Sequence, residues 1–164
     1  MIRSRSGQHV HRSLVTQGFF IYATEAKDRE TFTSILVKKN QMWAGRAPLL
    51  MFAIARRKFY QSGKENRHAP FDTGAAWLSL ALQARKLGLY AHAMAGFNVE
   101  KAHKVLGVPK ADYQIMAAIA VGRKGDGEHL PEDLLQMESP NSRKPLSEVA
   151  SQNYPLVTDD QVAE

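Results

Sequence analysis

The chain has 164 residues, 44% hydrophobic and 23% charged, which suits one globular domain, since domains cluster at about 100–150 residues. It contains no cysteine, which excludes disulfides, thiolate metal sites and cysteine nucleophiles. Lys and Arg number 22 against 16 Asp and Glu, giving a formal charge of +6, and the excess is uneven. Arg3, Arg5 and Arg12 precede the first acid, Glu25; Arg56, Arg57, Lys58, Lys64 and Arg67 surround a single Glu65; the charged residues after Lys144, namely Glu148, Asp159, Asp160 and Glu164, are all acidic. Without stacking aromatics or a recognisable module on the basic face, this pattern predicts a solvated surface that attracts phosphate-bearing small molecules, and no nucleic-acid partner. No run of about 18 apolar residues occurs, and no signal-peptide pattern opens the chain, so the expectation is a cytoplasmic protein without a membrane partner.

Phe19 to Thr24 is a β-branched and aromatic run ended by charges, which predicts a strand. Between Arg29 and Trp43, Phe32, Ile35 and Leu36 recur at helical spacing and predict one helix, which Ala47-Pro48 ends. Leu49 to Ala55 is continuously apolar and predicts a central strand covered on both faces. A polar loop follows over Gln61 to Pro70. Asp72 is placed to cap a helix with its body over Thr73 to Leu87, basic Arg85 and Lys86 in its last turn and Gly88 at its stop. Ser79 and Gln83 are the only polar residues between Ala75 and Ala84, so this helix is expected to be the buried central one, with Trp77 in the core.

Tyr90 to Met94 predicts a short strand, and Gly96-Phe97-Asn98 a turn. Asn98 caps a helix from Val99 to Leu106, with Val99, Ala102 and Leu106 on one face and Gly107 and Pro109 at its end. Tyr113 to Val121 predicts a second buried strand, stopped by Gly122. Beyond it, Pro131, Pro140, Pro145 and Pro155 among many charges predict an extended arm, with a flexible tail over residues 151–164. The order of elements gives a layered α/β or α+β domain.

Standard catalytic signatures are absent: no Gly-x-Ser-x-Gly elbow, Walker loop or Gly-x-Gly-x-x-Gly opening a helix. Gly122-Arg123-Lys124-Gly125-Asp126-Gly127 reads better as a turn than as a phosphate loop, because Asp126 would repel an anion. His9-Val10-His11 lacks a third ligand and predicts no metal site, and His92 and His103 have no evident carboxylate partner. No catalytic residue is assigned.

Several longer pieces occur in a fixed order. They are Asn40-Gln41-Met42-Trp43-Ala44 with Ala47-Pro48, Asp72-Thr73-Gly74-Ala75-Ala76, Leu82-Gln83-Ala84 with Leu87-Gly88-Leu89, Met94-Ala95-Gly96-Phe97, Ile119-Ala120-Val121-Gly122, and Ser142-Arg143-Lys144-Pro145-Leu146. Together, over about Phe19 to Val149, they resemble the nitroreductase family of FMN-dependent, NAD(P)H-using oxidoreductases. The resemblance implies an α+β fold with a mostly antiparallel sheet flanked by helices, and a homodimer with two FMN molecules at the subunit interface. It further implies electron transfer from NAD(P)H to a nitroaromatic, quinone or similar small-molecule acceptor.

Carried onto this chain, it assigns Met94, Ala95 and Gly96 to the strand end beside the flavin ring, where a residue without Cβ allows close approach and main-chain N–H groups can tune the cofactor. Arg143 matches the C-terminal phosphate-contacting arginine, a suitable fork for a phosphate monoester, with Lys144 assisting. Phe59, Tyr60, His68 and Phe71 fall in the region of the variable substrate-covering segment. The departure is residues 1–18, an atypical amino-terminal segment: Arg3-Ser4-Arg5-Ser6 stands too near the first strand for the family's intervening helices, and Ser13 to Phe19 lacks its Asn, Pro and Trp turn. The alternative reading is a truncated, flavin-free member with at most a binding role.

Overall fold

The computed structural model describes residues 18–139 and 142–150; the expectations for residues 1–17 and for the tail over 151–164 lie outside them. The described chain divides into two units, residues up to Leu130 and from Pro131 onward.

In the first unit, β1 (Gly18–Ala23), β2 (Leu49–Arg56), β3 (Tyr90–Met94) and β4 (Tyr113–Gly122) form one sheet in the order β1-β2-β4-β3, and every pair is antiparallel. The continuous apolar run of β2 has the predicted cause. Leu50, Phe52 and Ile54 project into one core, Met51 and Ala53 into another on the opposite face, and all five are buried. Between Ala53 and Ile54 the register slips so that Met116 of β4 has no opposite number, a bulge that bends the strand locally.

The first core lies under α1 (Ala26–Thr33), α2 (Lys38–Ala44) and α4 (Val99–Leu106), which contribute Phe32, Ala44, Ala102 and Leu106. The second lies under α3 (Ala69–Lys86), which contributes Ala84 and the partly buried Trp77 and Leu80. Sheet and helices therefore form three layers, the α+β arrangement expected.

Four local expectations need correction. The single helix over Arg29 to Trp43 is two helices. Ile35 and Leu36 both drop into the core, and Val37 N–H donates to Gly96 O at 3.0 Å, so the bond that would continue α1 is taken by the far side of the unit. Asp72 does not cap α3. That helix starts four residues earlier than expected, at Ala69, with His68 at the N-cap position, Pro70 in its first turn and Asp72 also in that turn, where a carboxylate suits the helix dipole. Nor is α3 buried all round: it sets one face on the sheet, while Phe71, Leu78 and Leu82 are 77%, 58% and 63% exposed. Val99 is also exposed, whereas Ala102 and Leu106 are buried as expected.

The α4 ends follow the sequence closely. Asn98 Oδ1 accepts from Lys101 N–H at 2.9 Å, and Gly107 closes the helix at φ 64°, a left-handed conformation that glycine adopts without a Cβ penalty.

The second unit holds two single helical turns, α5 (Glu132–Leu135) and α6 (Leu146–Val149), with a 3-10 turn at Gln136–Glu138. The expected extended arm thus carries short helical pieces, each one turn long.

Candidate functional site

The end of β3 is where the sequence places the cofactor-facing backbone, and the structure builds it from three separate stretches of chain. Met94 is buried and pairs with Ala118 of β4. Ala95, exposed, and Gly96, half-buried, leave the ladder and turn toward α4. Phe97 N–H donates to Ala95 O at 2.9 Å, closing a three-residue turn centred on Gly96. Phe97 then drops its ring edge-on to Phe52, with centroids 5.6 Å apart, which ties the turn to the middle of the first core.

The connector between α1 and α2 holds this turn from the other side. Gly96 O accepts from Val37 N–H and from Asn40 Nδ2, each at 3.0 Å. Leu36 bridges Phe97, and Asn98 N–H donates to Ile35 O at 2.8 Å. Lys101 Nζ donates to Ser34 O at 2.6 Å. Gln41 Nε2 donates to Leu36 O at 2.7 Å and so steadies the connector itself. The bonds between the connector and the turn span about sixty residues of sequence, so the turn's shape is fixed by tertiary structure.

Gly96 does not have a positive φ, and its need for glycine is one of space. A Cβ built there lies 2.5 Å from Asn40 Nδ2 and 3.0 Å from Val37 Cγ2. Where close approach of backbone to a flat ligand was the expected reason, the close approach the structure shows is to the protein's own connector. Among the described residues, neither Ala95 N–H nor Gly96 N–H finds an acceptor, although the carbonyls around them are satisfied. The strand end therefore presents two neighbouring main-chain donors on a fixed frame, suited to acceptor atoms at the edge of a planar heterocycle.

Arg143 and Lys144 lie in the second unit and are exposed. Arg143 Nη1 donates to Ser142 O at 3.4 Å, and Lys144 Nζ pairs with Glu148 at 3.3 Å, four residues on. Such an exposed pair contributes little to stability. In the segment expected to cover substrate, Tyr60 is exposed with the Arg56 guanidinium 4.8 Å from its ring centre, His68 and Phe71 flank the start of α3, and Phe59 is on the surface.

His103 and His92 each meet a neighbour within the fold. His103 Nδ1 lies 2.7 Å from Val108 O, across the end of α4. His92 lies edge-on to Trp43 at 4.8 Å. Residues 123–126 of the glycine-rich stretch are irregular, and the turn falls at its end, where Glu128 N–H donates to Asp126 Oδ1 at 3.1 Å and Leu130 N–H to Gly127 O at 2.8 Å. Among the described residues, no cluster of three His, Asp or Glu is placed to hold a metal, and no helix is long and apolar enough to cross a membrane.

A three-layer α+β unit around a four-stranded antiparallel sheet thus carries, at one strand end, a glycine turn whose main-chain donors find no acceptor among the described residues. The family model for the nitroreductase family matches residues 6–123; the chain belongs to that family. The match ends ahead of Arg143 and Lys144. The chain is 35% identical over 124 residues to an uncharacterised 15.4 kDa protein in the ask 5' region of Mycolicibacterium smegmatis, covering 74% of this chain and 82% of that one. It is 34% identical to an oxidoreductase containing FMN, with a TM-score of 0.77 over 84% of this chain and 71% of that structure. A nitroreductase structure from Exiguobacterium sibiricum, in complex with FMN, shares the fold at TM-score 0.65 and 15% identity, over 84% of this chain and 77% of the other.

Proposed function

We propose that the protein is an FMN-dependent oxidoreductase that takes electrons from NAD(P)H and passes them to a nitroaromatic, quinone or similar acceptor, as a cytoplasmic homodimer. The observation that carries this reading is the pair of N–H donors at Ala95 and Gly96 that find no acceptor among the described residues, held on a turn whose carbonyls are already bonded. Membership of the family and the similarity to an FMN-containing oxidoreductase supply the ligand class.

Bound FMN would supply the hydride-accepting and electron-donating chemistry. The chain's own residues bind and orient. Ala95 and Gly96 offer N–H donors to the ring edge, buried Met94 anchors the strand end beneath them, and the missing Cβ of Gly96 lets Asn40 and Val37 close on the turn from behind. Arg143, with Lys144, is proposed to meet the phosphate, where a guanidinium fork forms two charge-assisted bonds. Dimerisation is supported by α3, whose Phe71, Leu78 and Leu82 lie at helical spacing and leave a wide apolar face in water.

The test is direct. Purified protein titrated with FMN should quench flavin fluorescence to saturation, retain flavin absorbance after gel filtration, and oxidise NADH or NADPH in the presence of a quinone. Absence of FMN binding by the intact chain would overturn the reading in favour of a flavin-free family member.

A further inference from the structure

The Gly96 turn contains a hydrogen-bond chain that runs through two peptide groups and ends on a free donor. Asn40 Nδ2 and Val37 N–H both donate to Gly96 O, each at 3.0 Å. The same peptide's N–H, on Phe97, donates to Ala95 O at 2.9 Å. The N–H of that second peptide belongs to Gly96, and it has no acceptor among the described residues. In such a series each bond polarises the next peptide, so donors placed on the first carbonyl strengthen the last N–H. They also fix its direction.

Of the two donors that start the chain, Val37 N–H belongs to the backbone, and Asn40 is the one that depends on a side chain. We propose that Asn40 is a positioning residue: through the Gly96 and Ala95 carbonyls it orients and strengthens the Gly96 N–H toward its ligand. This rests on the flavin reading above, and it assigns Asn40 a role exerted at a distance of two peptide groups. The geometry at Gly96 supports it independently, because a Cβ there would meet Asn40 Nδ2 at 2.5 Å. The glycine is needed for the asparagine to reach the carbonyl.

The experiment uses the full chain, 15N-labelled, as wild type, Asn40→Leu and Asn40→Asp. Both variants are close in size to asparagine, and neither carries an amide donor. FMN is the probe, and far-UV circular dichroism confirms that each variant is folded. Without FMN, the Gly96 amide proton should move upfield in both variants while that of Ile119, in the middle of β4, stays in place. The dissociation constant for FMN should rise about threefold to tenfold, within the range that one polarised hydrogen bond controls. With FMN bound, kcat should fall while KM for the quinone is unchanged. An unmoved Gly96 resonance together with wild-type FMN affinity would overturn the proposal. Weakened FMN binding with an unmoved Gly96 resonance would also overturn it, since Asn40 would then act by another route. Failure of the wild type to bind FMN, by contrast, would remove the flavin reading itself and the assignment that rests on it.

Discussion

Phe52 offers a demanding test of how the core supports the site. It sits in the middle of β2, 1% exposed, and its ring meets Phe32 at 5.5 Å and 62° and Phe97 at 5.6 Å and 79°. Truncation to alanine removes a buried ring whose loss costs about 3–5 kcal/mol. Each edge-to-face pair adds about 0.5–1.5 kcal/mol beyond area, which places Phe52→Ala in the upper part of that range. Phe52→Leu keeps most of the buried volume and loses chiefly the two ring pairs, so about 1–3 kcal/mol is expected. Because a domain's whole stability is about 5–15 kcal/mol, the alanine variant should be marginal and the leucine variant well folded. Urea unfolding followed by circular dichroism at fixed protein concentration measures both, with equal slopes as the sign of an intact two-state transition. Since Phe97 follows Gly96, the leucine variant should also weaken FMN binding by loosening the turn. A loss below about 1.5 kcal/mol for Phe52→Ala would refute the packing argument.

Arg143→Ala should weaken FMN by about tenfold to a hundredfold, because a charge-assisted bond is worth about 1.5–3 kcal/mol and about 1.4 kcal/mol is one decade. Arg143→Lys should recover part of this, and equal affinity in fluorescence titration would take the residue out of the site. Leu78→Asp combined with Leu82→Asp should yield monomers by light scattering. Each leucine contributes about 1.5–3 kcal/mol when covered and counts twice across a symmetric interface; a dimer of wild-type affinity would exclude this face of α3. Asn98→Ala should cost about 1 kcal/mol by removing the bond to Lys101 N–H, and Asn98→Asp should be near neutral in the same unfolding assay.

The sequence by itself determined the elements whose cause is local. β2 and β4 read correctly because a strand covered on both faces needs continuous apolar residues, and α4 read correctly at both ends because an asparagine cap and a left-handed glycine act within one turn. The ordered motifs were enough to indicate the family. Tertiary structure decided the rest. Helical spacing at Phe32, Ile35 and Leu36 could not show that the chain breaks at Val37, because the acceptor that draws its N–H away is Gly96 O, far along the chain. The apolar composition of α3 could not separate a helix buried all round from one with an exposed apolar outer face, since both demand the same residues. Asn40 stood in the quoted motif without a role, and it gained one only when folding set its amide 3.0 Å from a carbonyl 56 residues away. Patterns of side chains record what each element needs, while the direction of a free N–H depends on which distant groups satisfy the carbonyls around it.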